Sequence, residues 1–164
     1  MIYAGIDPGK SGAIALINGA LISVHPMPIL PGAKKSRDEY NIAGIRQWLL
    51  DAKNGVALFV TVERSQPLPP KIRGSIAQFQ RGVACGWEWL LIGMGIPHQL
   101  VRPRDWQSVM LAGTPGGDTK QRSIIAAQRL FPSVSLMRTD RSKKPDHNFA
   151  DALLLAEFGR RTHQ

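Results

Sequence analysis

The chain has 164 residues, with a hydrophobic share of 43% and a charged share of 20%, and these are the proportions of one ordinary globular domain. Its 21 Lys and Arg residues outnumber 12 Asp and Glu, giving a formal net charge of +9, which indicates a nucleic acid or another anionic partner. The single cysteine, Cys85, excludes an internal disulfide and a cysteine-based zinc site. We find no secretory signal and no apolar run long enough to span a bilayer, so we expect a cytoplasmic protein without a membrane partner.

The first part of the chain predicts three short strands at residues 2–6, 13–17 and 21–25, with an Asn18-Gly19 hairpin turn before the third. Asp7 ends the first strand in the segment GIDPGKSGAIAL. The Gly9-Lys10-Ser11 triplet is not a P-loop, because Ala4 occupies the position where that motif needs a glycine. Residues 26–40 are rich in proline, glycine and charge and predict a mobile loop, and a helix capped by Asn41 follows.

The middle of the chain predicts a buried strand at residues 56–62, which Glu63 terminates. A proline-rich connection leads into a long helix at about residues 72–92, and then come a strand at 98–101 and a short helix at 103–110. We expect Trp87, Trp89 and Trp106 to lie in the core rather than to stack on bases.

The last third predicts a helix at residues 119–130, a basic loop at 132–145 and a final helix from about 147 to 160. Asp151 lies on this final helix, and Asp146 is its expected N-cap. His147 and Asn148 precede Asp151 by four and three residues, so both share its helix face.

Strands followed by helices in this order predict an α/β domain with a mixed sheet. The ends of three elements should then meet over one sheet edge, and each carries a carboxylate: Asp7, Glu63 and Asp151. Buried carboxylates are costly unless they are paired or bind a cation, so their convergence predicts a divalent metal site. Taken singly, each has an ordinary alternative: a turn cap for Asp7, a solvated strand end for Glu63 and a helix-start charge for Asp151.

The basic residues form patches beside these carboxylates, and we expect them to hold a phosphate backbone with salt-dependent affinity. A solvated surface is the alternative. The expected DNA-binding residues are Lys10, Arg64, Lys71, Arg73, Arg102, Arg104, Lys143 and Lys144.

Over nearly its whole length the chain resembles the RuvC family of Holliday-junction resolvases, within the RNase H-like superfamily, and most closely its short phage-encoded members. The segments that carry the resemblance are GIDPGKSGAIA, VTVERSQ, VRPRDWQ, GDTKQRSIIAAQRLFP and FADALLLAEFGRR. They contain Asp7, Glu63, Lys120 and Asp151.

The resemblance implies one RuvC-like nuclease domain over residues 1–164, with a mixed five-stranded sheet and helices on both faces. It implies that a homodimer nicks four-way DNA junctions at symmetric positions, with no nucleotide cofactor. Two Mg²⁺ ions, about 4 Å apart and replaceable by Mn²⁺, are the implied cofactors. Asp7, Glu63, Asp151 and position 148 are the implied ligands, and Lys120 is implied to contact the scissile phosphate. Residues 66–73 are expected to reach into the junction centre.

Asn148 departs from the family, which has an acidic residue or sometimes His at this position. An amide oxygen is a weaker ligand for a hard cation than a carboxylate. The interpretation favoured from the sequence is an Asp→Asn variant inactivated for cleavage. The alternatives are that the natural enzyme uses Asn148, or that His147 or Asp146 supplies the missing ligand.

Three other functions remain open at the level of sequence. An actin-like ATPase or sugar kinase has a similar Asp and glycine turn, but 164 residues are too few for its two domains. A non-catalytic module that binds branched DNA fits Asn148. A nuclease of the same superfamily that acts on RNA–DNA hybrids or replication forks is the third.

Overall fold

The computed structural model describes residues 1–34, 38–64 and 75–163, and no side chain is described within 75–81. The prediction that residues 66–73 enter a junction therefore lies outside the described residues, as do Lys71 and Arg73. The strands are β1 (Ile2–Asp7), β2 (Ala13–Asn18), β3 (Leu21–Pro26), β4 (Ile29–Leu30), β5 (Glu39–Tyr40), β6 (Leu58–Glu63) and β7 (His98–Val101). The helices are α1 (Ile42–Lys53), α2 (Ser75–Gly93), α3 (Pro103–Met110), α4 (Thr119–Leu130) and α5 (His147–Thr162).

The main sheet has five strands in the order β3-β2-β1-β6-β7. β2 is antiparallel to both neighbours, whereas β1, β6 and β7 run parallel to one another. Ile6 pairs with Val62, so the residues that follow them, Asp7 and Glu63, end neighbouring strands at the same edge. This is the carboxyl edge of the parallel strands.

Alternating side chains divide the sheet into two buried faces, as the two-residue period of a strand requires. Ile6, Val60 and Val62 belong to one core, which α1 and α2 cover through Leu49 and Leu91. The other core consists mainly of small and aliphatic residues of β2 and of helices α3, α4 and α5. The predicted α/β fold, a mixed five-stranded sheet with helices on both faces, is confirmed.

Helix α5 lies against the sheet at two glycines, and this contact orients its first turn. A Cβ atom at Gly5 would lie 2.1 Å from the carbonyl oxygen of Ala152, and one at Gly159 would lie 2.3 Å from Thr61 Oγ1. Such distances exclude any side chain larger than hydrogen. Because Asp7 lies two residues after Gly5 and Glu63 two after Thr61, both acidic residues belong to the face that α5 covers.

Two predictions from the sequence are wrong in detail. Trp89 is 73% exposed on α2, whereas Trp87 and Trp106 are buried as expected. The positions differ because they are two residues apart on a helix, which places them on different sides. Residues 26–40 are not simply a loop, since β4 and β5 pair within them. No helix in the described part of the chain is long and apolar enough to cross a membrane.

Candidate metal and nucleic-acid site

Asp7 lies at the start of a tight turn whose backbone is held by glycines. The Gly9 amide donates to Asp7 Oδ1 at 3.4 Å, and the Gly12 amide donates to the Gly9 carbonyl at 2.8 Å. A Cβ atom at Gly12 would lie 2.1 Å from the Asp7 carbonyl oxygen, so only glycine permits this turn. The Tyr40 hydroxyl donates to the Pro8 carbonyl at 2.8 Å and fastens β5 to the turn.

Glu63 is held by a hydrogen bond from a tryptophan of α3. The indole nitrogen of Trp106, in α3, donates to Glu63 Oε2 at 2.7 Å, and the Trp106 side chain is fully buried. Burial raises the pKa of Glu63 to about 7; the Trp106 hydrogen bond acts in the opposite direction, and the charge of Asp7 adds to the rise. The carboxyl group is therefore poised to exchange its proton for a cation near neutral pH.

Asp151 enters the same region from the first turns of α5. Burial raises its pKa to about 7; the nearby Ser123 hydroxyl of α4 lowers it, and the charges of Asp7 and Glu63 raise it further. Among the described residues, Asp151 Oδ1 and Ser123 Oγ are the buried side-chain atoms without a complete hydrogen bond. Ser123 is the neighbour that the chain provides for Asp151, and a carboxylate oxygen whose hydrogen bond is incomplete is available to a further partner.

The charge of Asp7 acts on the other two carboxyl groups, which places the three in one electrostatic site. Burial raises the pKa of Asp7, and Asp7 in turn raises the pKa of both Glu63 and Asp151. The raised pKa of Tyr40, about 12, has burial and then the charge of Asp7 as its causes. One acidic cleft thus joins the ends of β1 and β6 to the start of α5.

The cleft is less compact than the sequence suggested. No group of three or more His, Cys, Asp or Glu side chains within residues 1–34, 38–64 and 75–163 is arranged closely enough to hold a metal ion. Each carboxylate has its own neighbour in the protein, and like charges repel one another. The donor set still fits a hard divalent cation, because it offers carboxylate oxygens and one of them, Asp151 Oδ1, is buried without a partner.

Asp146 is occupied at both oxygens. As the N-cap of α5, its Oδ1 accepts the Asn148 backbone amide at 2.9 Å and the Asn148 side-chain amide at 3.0 Å. Its Oδ2 accepts from Arg138, whose guanidinium also donates to the carbonyls of Ser11 and Gly12. The cap prediction is confirmed, and these contacts argue against Asp146 as a metal ligand.

Lys120 lies in the first turn of α4, and His147 is the first residue of α5. Burial lowers the pKa of His147, and the Lys120 charge lowers it further. A neutral imidazole beside the cleft has the chemistry of a metal ligand. Lys120 is exposed in the first turn of α4, three residues before Ser123, so its side chain is on the helix side that meets Asp151.

Some of the predicted DNA-binding residues bond to other groups of the protein, and the others have exposed side chains. Lys10 donates to the Asp38 carbonyl, and Arg102 forms a two-bond ion pair with Asp105 at 2.8 and 3.2 Å. The other described members are exposed: Arg64, Arg104, Lys143 and Lys144.

Sequence reasoning missed four residues that shape the site. Trp106 was expected only in the core, and Arg138 only in a basic loop. Tyr40 and Ser123 were not singled out at all. Nothing local marks them, because each acts on a residue 28 or more positions away; Trp106 and Glu63, for example, are 43 apart.

No protein-family model and no curated protein matches the chain. Among solved structures, it is similar to Thermus thermophilus RuvC in complex with a Holliday junction substrate, with a TM-score of 0.58 and 19% identity. A second Thermus thermophilus RuvC structure gives a TM-score of 0.55 at the same identity. Each comparison covers 99% of this chain and 96% of the other. The chain therefore has the RNase H-like fold seen in the RuvC structures.

Proposed function

We propose that this protein is a metal-dependent, structure-selective DNA endonuclease of the RuvC type, which resolves four-way junctions by paired symmetric nicks. The observation that carries the proposal is the acidic cleft, where Asp7 and Glu63 lie on the sheet face that α5 covers, and where the charge of Asp7 raises the pKa of both Glu63 and Asp151. The similar RuvC complex contains a Holliday junction substrate, and this chain carries a formal net charge of +9. Both support a DNA substrate.

The residues that would hold the cofactor are Asp7, Glu63, Asp151 and Asn148. Two Mg²⁺ ions, or Mn²⁺ in their place, would supply a nucleophilic hydroxide near neutral pH and charge stabilisation at the leaving 3′ oxygen. Asp7 would act as a ligand together with both other carboxylates, because its charge raises the pKa of each. Trp106 orients Glu63 through the bond to Oε2.

The chain's cations position the substrate. Lys120, exposed at the start of α4, would offset charge on the scissile phosphate. The exposed Arg64, Arg104, Lys143 and Lys144 would contact the flanking backbone, which fixes the strand without reading its sequence. Residues 1–164 would form a single nuclease domain, and two copies would present two clefts to symmetric strands of the junction.

The testing experiment is cleavage of a synthetic four-way junction beside linear duplex and RNA–DNA hybrid, with Mg²⁺ or Mn²⁺. We expect nicks at symmetric positions in the junction and little cleavage of the other substrates. Asp7→Asn should abolish cleavage while junction binding in EDTA is retained. Equal cleavage of all three substrates would refute junction selectivity, and binding without cleavage under any metal would favour the alternative of a branched-DNA binding module.

A further inference from the structure

The segment between α4 and α5 sends one side chain across to the turn that follows Asp7. Arg138 donates from Nη2 to the Ser11 carbonyl and, at 3.3 Å, to the Gly12 carbonyl. These acceptors precede Arg138 by 127 and 126 residues in the chain. The same turn is closed by the Gly12 amide, which donates to the Gly9 carbonyl at 2.8 Å. Arg138 therefore holds the backbone of the turn that begins at Asp7.

Another nitrogen of the same guanidinium holds the start of α5. Arg138 Nε donates to Asp146 Oδ2, and Asp146 is the N-cap of this helix. The Asp146 Oδ1 accepts the Asn148 backbone amide at 2.9 Å. The guanidinium also lies over the Phe149 ring, 5.2 Å from its centroid. Asp151 lies in the first turns of the helix that this cap begins, so one planar group contacts both segments that bring a carboxylate to the cleft.

The Arg138–Asp146 pair lies close enough to the cleft for its charges to act on the carboxylates there. Burial raises the pKa of Asp7; the Asp146 charge adds to the rise, and the Arg138 charge opposes it. The Asp146 charge also adds to the raised pKa of Asp151, for which burial is again the largest cause. The Arg138 side chain is 29% exposed and that of Asp146 is 14% exposed. A charged pair that is shielded from water to this degree can keep a fixed geometry.

These contacts match the geometry of an arginine. A guanidinium is planar and carries several N–H donors in fixed directions, so it can bond a carboxylate and backbone carbonyls at the same time. A lysine at position 138 would keep the charge but would offer one ammonium on a flexible stem. It could not hold the turn and the helix cap in one fixed arrangement.

We propose that Arg138 is a positioning residue, which sets the place of Asp7 relative to Asp151 by holding the turn after β1 and the cap of α5 on one guanidinium. In this arrangement Arg138 touches neither the scissile phosphate nor a cation. The inference rests on the proposed function, because this placement affects cleavage only if the two carboxylates act on one phosphate. The contacts themselves can be tested without a substrate.

The first experiment measures amide hydrogen exchange of the parent chain and of Arg138→Lys in EDTA. Three amides report on the two segments: Gly12 and Met27, whose hydrogen bonds close and follow the turn, and Asn148, which donates to the cap. We expect exchange at both segments to accelerate together in Arg138→Lys, by about tenfold, which is the effect of a lost hydrogen bond to a charged group.

The matched control is Arg160→Lys, which removes a guanidinium from the other end of α5. Arg160 donates two hydrogen bonds to Glu157, at 2.6 and 2.7 Å, in the last turn of the helix. This variant loses the same kind of ion pair from the same helix. It should leave exchange at Gly12, Met27 and Asn148 as it is in the parent.

The second experiment measures cleavage of a four-way junction that is already bound, in a single turnover started with Mg²⁺. Arg138→Lys should cleave about 100-fold more slowly, the effect of a small misplacement of reacting groups. Its junction affinity in EDTA should be unchanged, because the charge is kept. Arg160→Lys should cleave as the parent does.

Added guanidinium ion separates positioning from general stability. The site of the Arg138 side chain is partly open to solvent, so free guanidinium can enter it in Arg138→Ala. We expect millimolar guanidinium chloride to raise the cleavage rate of this variant about tenfold, because it restores the planar donors, and methylammonium chloride to have no effect. A variant that was merely unstable would respond in the opposite direction, since guanidinium weakens folding.

The inference is overturned if Arg138→Lys cleaves bound junction as fast as the parent, or if exchange accelerates in only one of the two segments. Equal recovery with methylammonium would also overturn it, because a charge without the planar donors would then be enough. Failure of the proposed function looks different: neither the parent nor any variant would cleave a junction, while the joint change in exchange in Arg138→Lys would persist.

Discussion

At the scale of single residues, the cleft is defined by the surroundings of each carboxyl group. Glu63 has a strong donor in Trp106, whereas Asp151 has one buried oxygen without a partner. The pKa of both is raised to about 7, with burial as the largest cause. A proton and a cation would therefore compete for each of these carboxylates near neutral pH.

Trp106→Phe tests the role of the indole donor. Without it, the pKa of Glu63 rises further, so more of the carboxyl is protonated at neutral pH and cation binding weakens. We expect the Mg²⁺ concentration for half-maximal junction cleavage to rise about tenfold, which is the effect of a lost hydrogen bond to a charged group. The matched control is Trp87→Phe, a buried tryptophan of the other core that should lose stability without changing the Mg²⁺ requirement. Equal Mg²⁺ titrations for the two variants would contradict the assignment.

Asp151→Asn tests the raised pKa of this carboxyl through stability. The pKa is 3.8 ordinarily and about 7 in the folded protein, so ionisation destabilises the fold progressively between roughly pH 4 and 7. An amide does not ionise, and the variant should gain stability relative to the parent as the pH rises. We expect a small difference at pH 5 and a gain of a few kcal/mol at pH 8, measured by urea unfolding in EDTA. Taking the difference removes the opposite contribution of His147, whose pKa is lowered. A difference that is constant from pH 5 to 8 would contradict the prediction.

At the scale of elements, the site depends on how closely α5 approaches β1 and β6. The contact at Gly5 brings the α5 backbone against the β1 backbone, and the contact at Gly159 brings α5 against the Thr61 side chain of β6. Asp151 immediately precedes Ala152, the residue that faces Gly5. A helix held further out would carry Asp151 away from Asp7. Glycine at positions 5 and 159 thus permits the close approach on which the position of Asp151 depends.

Gly5→Ala should separate the two elements. Its Cβ would lie 2.1 Å from the Ala152 carbonyl oxygen, which is backbone and cannot rotate away. We expect a loss of at least about 3 kcal/mol in the free energy of unfolding, with cleavage lost even in the folded fraction. Gly86→Ala is the matched control: it is a helical glycine with open space around its Cβ position, so it should stabilise α2 by about 0.5–1 kcal/mol. Similar unfolding curves for both variants would refute the close approach.

At the scale of the whole molecule, positive charge is distributed unevenly around the sheet. Three exposed cations lie in segments next to the elements of the cleft: Lys143, Lys144 and Arg104. Lys53 instead ends α1, just before β6 begins, and the start of β6 is the end opposite Glu63. A phosphate backbone that reaches the cleft would pass the first group.

The double variant Lys143→Ala/Lys144→Ala tests this distribution by the salt dependence of junction binding in EDTA. Two lost phosphate contacts should reduce the slope of log affinity against log salt by about 2. Lys53→Ala should leave the slope as it is. If removing Lys53 has the same effect per charge, binding follows the net charge alone and the proposed path of the DNA is wrong.

The amino-acid pattern was sufficient to predict the local elements and the residues that end them. Apolar β-branched runs predicted β1 and β6, Asp146 was predicted as the cap of α5, and the carboxylates were identified by their positions at element ends. These features depend on neighbours within a few residues. The hydrophobic period, the capping residues and the turn residues of a segment are therefore enough to predict them.

The surroundings of those carboxylates could not be predicted without the folded structure. The donation from Trp106 to Glu63 and the contacts of Arg138 with the Asp7 turn join residues far apart in the chain. The same applies to the spacing of the three acidic groups and to the exposure of Trp89. Such contacts depend on strand order, on the approach of α5 and on which helix face meets the sheet, and a periodic pattern along one segment contains none of that information.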